Sequence, residues 1–250
     1  MKDKIEMNNN LIYDTIIGSV SKGEDIVLSS VGESWSLVET VSGQVGIAMT
    51  TSGTTRSPMF SESFAGMDVR EAARALMSWH FEEASLGLAA INARLNTVAR
   101  MGEFDCQEPY ENYCTRGLEI SGKKLGIVGH LKMPEEVKNM ASEYHILELQ
   151  PQPGDYPASA CEWILPACDI VIITGSSLIN KTLPRLLALC RHAYTILAGP
   201  SVPLCPALLQ LGIDRLAGLV ISDAEGMKKR QALGLSGPPY EFGQSFLITR

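Results

Sequence analysis

The sequence predicts an α/β protein in two parts: a small α+β unit followed by a Rossmann-like parallel α/β unit. Three observations lead there. Short β-like runs at 25–31, 35–41 and 45–50 are spaced by Gly32-Glu33-Ser34 and Ser42-Gly43-Gln44, the pattern of an antiparallel meander. From Lys123 onward, short apolar runs alternate with helical stretches, as right-handed βαβ units around a buried parallel sheet require. Between the two patterns, 101–115 is polar, aromatic and without period, with Gly102, Pro109, Tyr110, Asn112 and Tyr113. That stretch reads as a linker and places a boundary near Arg116 or Gly117, giving units of 1–117 and 118–250.

In chain order, the first expected element is an amphipathic helix over 11–20, ending near Ser21-Lys22-Gly23. The meander follows, then Thr50-Thr51-Ser52-Gly53-Thr54-Thr55-Arg56-Ser57-Pro58. Such a hydroxyl-rich loop cradles an anion through backbone N–H groups and Arg56, or is a plain surface loop. Asp68 is placed to cap a helix over 68–77. A long helix is expected over 78–100, and its stretch from Glu83 to Ala93 is rich in small residues that let another backbone come close. Glu82, Ser85, Ala89, Asn92 and Asn96 recur at helical spacing and share a face, with Glu83 roughly opposite Asn92. That polar stripe faces an interdomain cleft, bonds a neighbouring loop, or faces water.

In the second unit the expected strands are 124–129, 145–149, 170–174, 195–198 and 216–221, with an edge strand at 246–249. Helices are expected near 134–142, 157–165, 183–190, 203–211 and 224–234.

Composition excludes several classes. A net charge of −7 argues against a broad nucleic-acid surface, and Lys228-Lys229-Arg230 reads as a solvated helix end. The six cysteines include no C-x-x-C pair, so neither a zinc framework nor a disulfide scaffold is expected. Residues 1–10 are too polar for a signal peptide, and no apolar run approaches the roughly 18 residues of a membrane span. A reduced, cytoplasmic protein is the expectation. G-x-S-x-G and H-E-x-x-H motifs are absent as well.

Ligands of open parallel sheets bind at the carboxyl ends of the strands. The first such end carries Gly126 and Gly129, then His130 and Leu131, where a dinucleotide fingerprint needs a third glycine. Glu135 and Glu136 fall in the next helix's first turn, where their charge suits the helix dipole and repels phosphate. Glu148 stands where a ribose-binding acid would, yet NAD is disfavoured. His130 is a candidate metal ligand, general acid or base, or polar contact, against a purely structural role. The loop 150–157 holds Asp155 near the next helix start, as a turn or cap residue or as a carboxylate facing His130. Thr174, Ser176 and Asn180 offer neutral hydrogen-bonding groups in the third loop, where Thr182 is a natural N-cap. Asp223 caps the last helix or adds a carboxylate. Cys161 and Cys168 read as small buried thiols rather than a soft-metal site.

Several stretches together resemble one family. They are Glu83 to Ala93, Val128-Gly129-His130, Gly154-Asp155-Tyr156-Pro157, Ile164-Leu165-Pro166-Ala167-Cys168-Asp169, Lys181 to Leu187 and Gly199-Pro200-Ser201-Val202-Pro203-Leu204. The resemblance is to a family of unknown function described by heavy-metal chelation, with its own N-terminal partner domain. It implies that 1–117 is similar to the small N-terminal domain of enolase, without the catalytic barrel, followed by a Rossmann-like domain and a site between the two. The expected function is binding of a heavy-metal ion or metal chelate in an interdomain cleft. A transition-metal ion is the expected cofactor, with His130 and Asp155 as its ligands. Thr174, Asn92, Arg56 and Asn180 would hold an organic part. The alternative is a Rossmann-type enzyme acting on a small anionic metabolite or nucleotide, with His130 as acid or base. A scaffold or homo-oligomerisation module is the third reading.

Overall fold

The computed structural model describes residues 10–53, 56–60, 63–102 and 114–250. The tail before Asn10, Thr54, Thr55, Cys106 and most of the expected linker lie outside the described residues. The fold is mixed α/β: among the described residues, a three-stranded antiparallel sheet and a seven-stranded, mostly parallel sheet, each with helices.

Helix α1 (Asn10–Gly18) buries Ile12, Tyr13 and Ile16. Strands β1 (Ile26–Val31), β2 (Trp35–Thr40) and β3 (Val45–Met49) form the antiparallel meander in that spatial order. Asp68 accepts from the Arg70 amide and caps α2 (Val69–Ala73), which tightens into a 3₁₀ turn over Arg74–Met77. The expected long helix is shorter and interrupted. Ser78 is extended, so α3 (Phe81–Leu95) begins later, capped by the His80 ring accepting from the Glu83 amide. It ends at Asn96, and Thr97 caps the separate α4 (Val98–Met101).

The small residues of α3 are used as expected. A Cβ added to Gly46 of β3 would lie 2.0 Å from the Ala93 nitrogen and 2.2 Å from the Ala89 oxygen. Backbone therefore packs on backbone, and Gly46 cannot enlarge without separating sheet and helix.

The second unit comprises β4 (Lys124–Val128), α5 (Glu135–Met140), β5 (Glu143–Glu148), β6 (Tyr156–Pro157), α6 (Cys161–Ile164), β7 (Ile170–Thr174), α7 (Leu183–Leu189), β8 (Tyr194–Ala198), β9 (Arg215–Ile221), α8 (Ala224–Ala232) and β10 (Gly243–Thr249). The sheet order is β10-β9-β8-β7-β4-β5-β6, with β10 alone antiparallel to its neighbour. Two expected helices are mostly 3₁₀. Turns at Ala158–Ala160 and Leu165–Ala167 flank the single turn of α6, and Pro206–Leu211 stands where 203–211 was expected to be helical. Pro166 removes an amide donor inside the first, and Pro206 follows an extended Cys205, so the second begins only at 206. Pro157 makes β6 tolerable only as a sheet edge, where it sits.

One hydrophobic core runs through both units. Ile12, Ile16, Leu76, Leu88 and Leu95 join Val171, Ile173, Leu178, Leu183, Val202 and Leu204. The other sheet face buries Leu125, Ile127, Ile170, Ile172 and Ile196 beneath Cys114, Ile120 and Met133. No helix among the described residues is long and apolar enough to cross a membrane.

Polar contacts stitch the same seam. Asn92 Nδ2 donates to the carbonyls of Ile47 and Ser201, at 2.8 and 3.2 Å. Asn96 Nδ2 donates to those of Val202 and Leu219, at 2.9 and 3.1 Å, while its Oδ1 accepts from the Leu204 amide at 2.8 Å. Lys181, in a left-handed backbone conformation at φ 65°, sends its ammonium to the carbonyls of Leu76 and Ile179. It also lies 5.5 Å from the Tyr13 ring centroid. Lys228 pairs with Glu39 at 2.9 Å on the far side.

Two outcomes follow from this packing. Gly46→Ala should cost about 3 kcal/mol, read from denaturant unfolding, because the added methyl has no space to enter. Burial pulls the Lys181 ammonium down to about 8 from its ordinary 10.5. Between those values the unfolded chain binds more protons than the folded one, so this lysine makes stability rise with pH. Below about pH 8 both states are charged and the slope vanishes. The stability difference between wild type and Lys181→Met should therefore shift in favour of wild type as pH rises from 8 towards 10, measured by urea denaturation at each pH.

Candidate functional site

The site begins with chain topology. From β4 the chain runs outward to β5 and β6, then returns to place β7 on the other side of β4. Val128 of β4 consequently pairs with Leu147 on one side and Ile173 on the other. The β4–β7 gap is the point where strand order reverses, and ligands of open sheets lodge at the carboxyl side of such a gap.

Gly129 leaves β4 at φ 100°, a conformation side chains resist, and an added Cβ would stand 2.8 Å from Thr174 Cγ2. That glycine lets the loops after β4 and β7 touch and delivers His130 to the sheet's carboxyl edge. The loop after β5 meets it there. Gln152-Pro153-Gly154-Asp155 closes with the Asp155 amide donating to the Gln152 carbonyl at 2.9 Å, and Gly154 is at φ 100°. Proline second and a positive-φ glycine third is the sequence of a type II turn. Asp155 Oδ2 then accepts twice, from the Gln152 amide at 2.8 Å and His130 Nε2 at 2.6 Å. The Gln152 amide first, and the His130 imidazole with it, hold the Asp155 carboxyl below the usual carboxylate range, against a smaller opposing effect of desolvation.

Tyr144 of β5, which pairs across from Leu125 of β4, is a polar residue that the sequence reading passed over. Its hydroxyl is buried without a hydrogen-bond partner, and its ring lies 5.9 Å from the Lys138 amine of α5. Burial, then the carboxylates of Glu135 and Asp155, push this phenol up to about 12, so it stays neutral and able to donate. Alternation along β5 puts Tyr144 on the face toward α5, and that was the available signal.

The remaining candidates are placed differently. Thr174 flanks the gap, its hydroxyl 3.1 Å from that of Ser176. Asn180 Oδ1 accepts from the amide and hydroxyl of Thr182. Thr182 thus spends its side chain on Asn180 rather than capping α7. Asn92 lies in the packed seam, with its Oδ1 buried and unpartnered. Asp223 caps α8 by accepting from the Gly226 amide. Cys161 and Cys168 are buried, and burial pushes each thiol up to about 11. Among the described residues, no group of three or more His, Cys, Asp or Glu is arranged to hold a metal ion.

Arg56 rides on an exposed loop that is pinned at both ends to the start of α3. Ser85 Oγ accepts from the Thr51 amide at 3.2 Å, and Glu83 accepts from the amides of Met59 and Phe60 at 2.8 and 2.6 Å. The same loop leaves β3 where the Met49 amide donates to Ser201 Oγ, in the loop after β8. The anchored loop therefore starts at the carboxyl side of the parallel sheet.

A family model described as "Putative heavy-metal chelation" matches 117–246, more than half of the chain, and a second with the same description matches 13–95. The chain belongs to the DUF364 family. A solved DUF364 protein of unknown function from Desulfitobacterium hafniense DCB-2 is 34% identical, with a TM-score of 0.86 over 97% of this chain and 98% of that one. Another of unknown function, from Pyrococcus horikoshii, is 24% identical and shares the fold, with a TM-score of 0.76 over 98% and 100%. No curated protein matches the chain. The DUF364 match holds His130, Asp155, Thr174 and Asn180, and the N-terminal match holds Arg56, Glu83 and Asn92.

Glu83→Ala strips the loop of two charge-assisted hydrogen bonds, each worth about 1.5–3 kcal/mol. Trypsin cleavage after Arg56 in the otherwise folded protein should accelerate at least about tenfold, followed by mass spectrometry of the released fragments.

Proposed function

We propose that this protein binds a divalent transition-metal ion, free or as a small-molecule chelate, where the carboxyl edge of the parallel sheet meets the N-terminal unit. The units are taken as 1–117 and 118–250. The observation that carries the reading is the His130–Asp155 pair at the strand-order reversal, an imidazole backed by a carboxylate that a turn has already oriented. Imidazole nitrogen suits zinc, nickel, cobalt and copper better than calcium or magnesium. The family's chelation description supports the same cargo. Thr174, Asn180 and Arg56 are the groups for the organic part of a chelate, and Asn92 Oδ1 is a further buried acceptor at the seam.

The pair also suits acid–base chemistry, since a carboxylate-oriented imidazole is the arrangement of a general base. A small anionic metabolite or nucleotide would be the substrate in that reading, with His130 moving the proton. One experiment separates the two. Titration calorimetry of untagged protein with Zn²⁺, Co²⁺ and Ni²⁺, each bare and as an equimolar nitrilotriacetate complex, should give saturable binding that falls at least about tenfold in His130→Ala. Equal affinity in the variant would sink the metal reading. A rise in melting temperature with nucleotides and none with metals would transfer the site to the enzyme reading.

A further inference from the structure

Lys181 is the one non-glycine residue with a positive φ among the described residues, at 65°. A left-handed backbone crowds the Cβ of an L-residue, and asparagine tolerates it better than most. Such a conformation lasts only where surrounding contacts hold it. The adjoining chain offers little support. The 3₁₀ turn Gly175–Leu178 has no side-chain cap, and neither has α7, because Thr182 is engaged with Asn180. The Asn180–Thr182 turn spans Lys181, while the ammonium bonds elsewhere.

The other contacts come from the N-terminal unit. Lys181 Nζ donates to the Leu76 carbonyl at 2.5 Å, in the 3₁₀ turn Arg74–Met77, and to the carbonyl of Ile179 at 3.0 Å. Its charge lies 5.5 Å from the Tyr13 ring centroid, and Tyr13 Oη donates to the Leu178 carbonyl at 3.2 Å. Two elements of one unit thus grip a single short stretch of the other, 178–181. The same stretch closes the loop that opens with Thr174 and Ser176 beside the β4–β7 gap.

We propose that Tyr13 and Lys181 form a latch by which the N-terminal unit sets the conformation of the loop after β7. The ammonium bridges Leu76 and Ile179, and that bridge keeps Lys181 in a turn its own backbone resists. The rim bearing Thr174, Ser176 and Asn180 therefore takes its shape only while α1 and the 3₁₀ turn after α2 are docked against it. The latch does not depend on what occupies the gap, so its test is separate from those of both readings above.

Hydrogen–deuterium exchange of the full chain, read by mass spectrometry of peptic fragments, tests the latch. Lys181→Ala removes the ammonium and keeps the backbone strain. Lys181→Asn removes the ammonium and relieves much of the strain. Tyr13→Phe removes one hydroxyl. Lys181→Ala should speed exchange over 176–182 at least about tenfold, with β7 and β8 unchanged. Tyr13→Phe should speed it by a smaller factor, and Lys181→Asn should return most of the protection. Unchanged exchange in Lys181→Ala overturns the latch, because the Asn180 turn and the buried Leu178 and Ile179 then hold the loop by themselves. Equal acceleration in β7 and β8 overturns it too, as does Lys181→Asn exchanging as fast as Lys181→Ala. If Lys181→Ala does not fold, Tyr13→Phe decides, and no change over 176–182 in that variant sinks the proposal.

Discussion

Asn96 satisfies two carbonyls and an amide of the parallel unit from the last turn of a helix in the other half of the chain. Asn92, one turn earlier, ties Ile47 of the small sheet to Ser201 in the same way. Backbone groups in the loop after β8 and in β9 that would otherwise be buried without partners depend on these two amides. The amides can reach them only because α3 lies directly on β3 at Gly46, with no side chain between. Close backbone contact and amide stitching are therefore one constraint. The rest of the architecture is arranged around α3: the meander on one side, the parallel sheet's carboxyl edge on another, and the Arg56 loop pinned at its first turns.

Much of this was readable in the chain. The β4 run, its glycine and the alternation behind it announce a parallel sheet because strands buried on both faces must be short and continuously apolar. The small residues of α3 announce close packing. Gly154-Asp155 announces a turn, and the geometry of β5 beside β4 turns that local signal into a carboxylate against His130. What remained hidden were questions of partner rather than pattern. The stripe Asn92–Asn96 looks the same in sequence whether it borders a cleft, water or foreign carbonyls. Glu83 reads only as a residue roughly opposite Asn92, and the folded chain shows that it anchors a loop some two dozen positions away. The 3₁₀ stretches after β6 and β8 defeated periodicity because their prolines set the hydrogen-bond pattern locally.

The electrostatics of the site follow from a backbone hydrogen bond at Asp155 more than from charge count. Against His130, the fixed element is a carboxylate satisfied by a backbone amide. Polar groups held in place before a ligand arrives do not have to be ordered on binding. Pre-ordering of this kind is supplied by a turn rather than by packing, and turns at strand ends can change between relatives without disturbing the sheet that carries them.

The continuous core has a kinetic meaning. Two-unit proteins that bind between their units usually open like a hinge, and exchange of the bound species then follows the hinge. Here Ile16 and Leu88 share a core with Leu183 and Leu204, and swinging the units apart would expose that core along with the asparagine contacts. A hinge is thus the costly route. The amides of Thr51, Met59 and Phe60 are fastened to α3 by Ser85 and Glu83, apart from that core. A species held at the sheet edge would then have to come and go with the two units still joined, and the body of the protein need not loosen to release it.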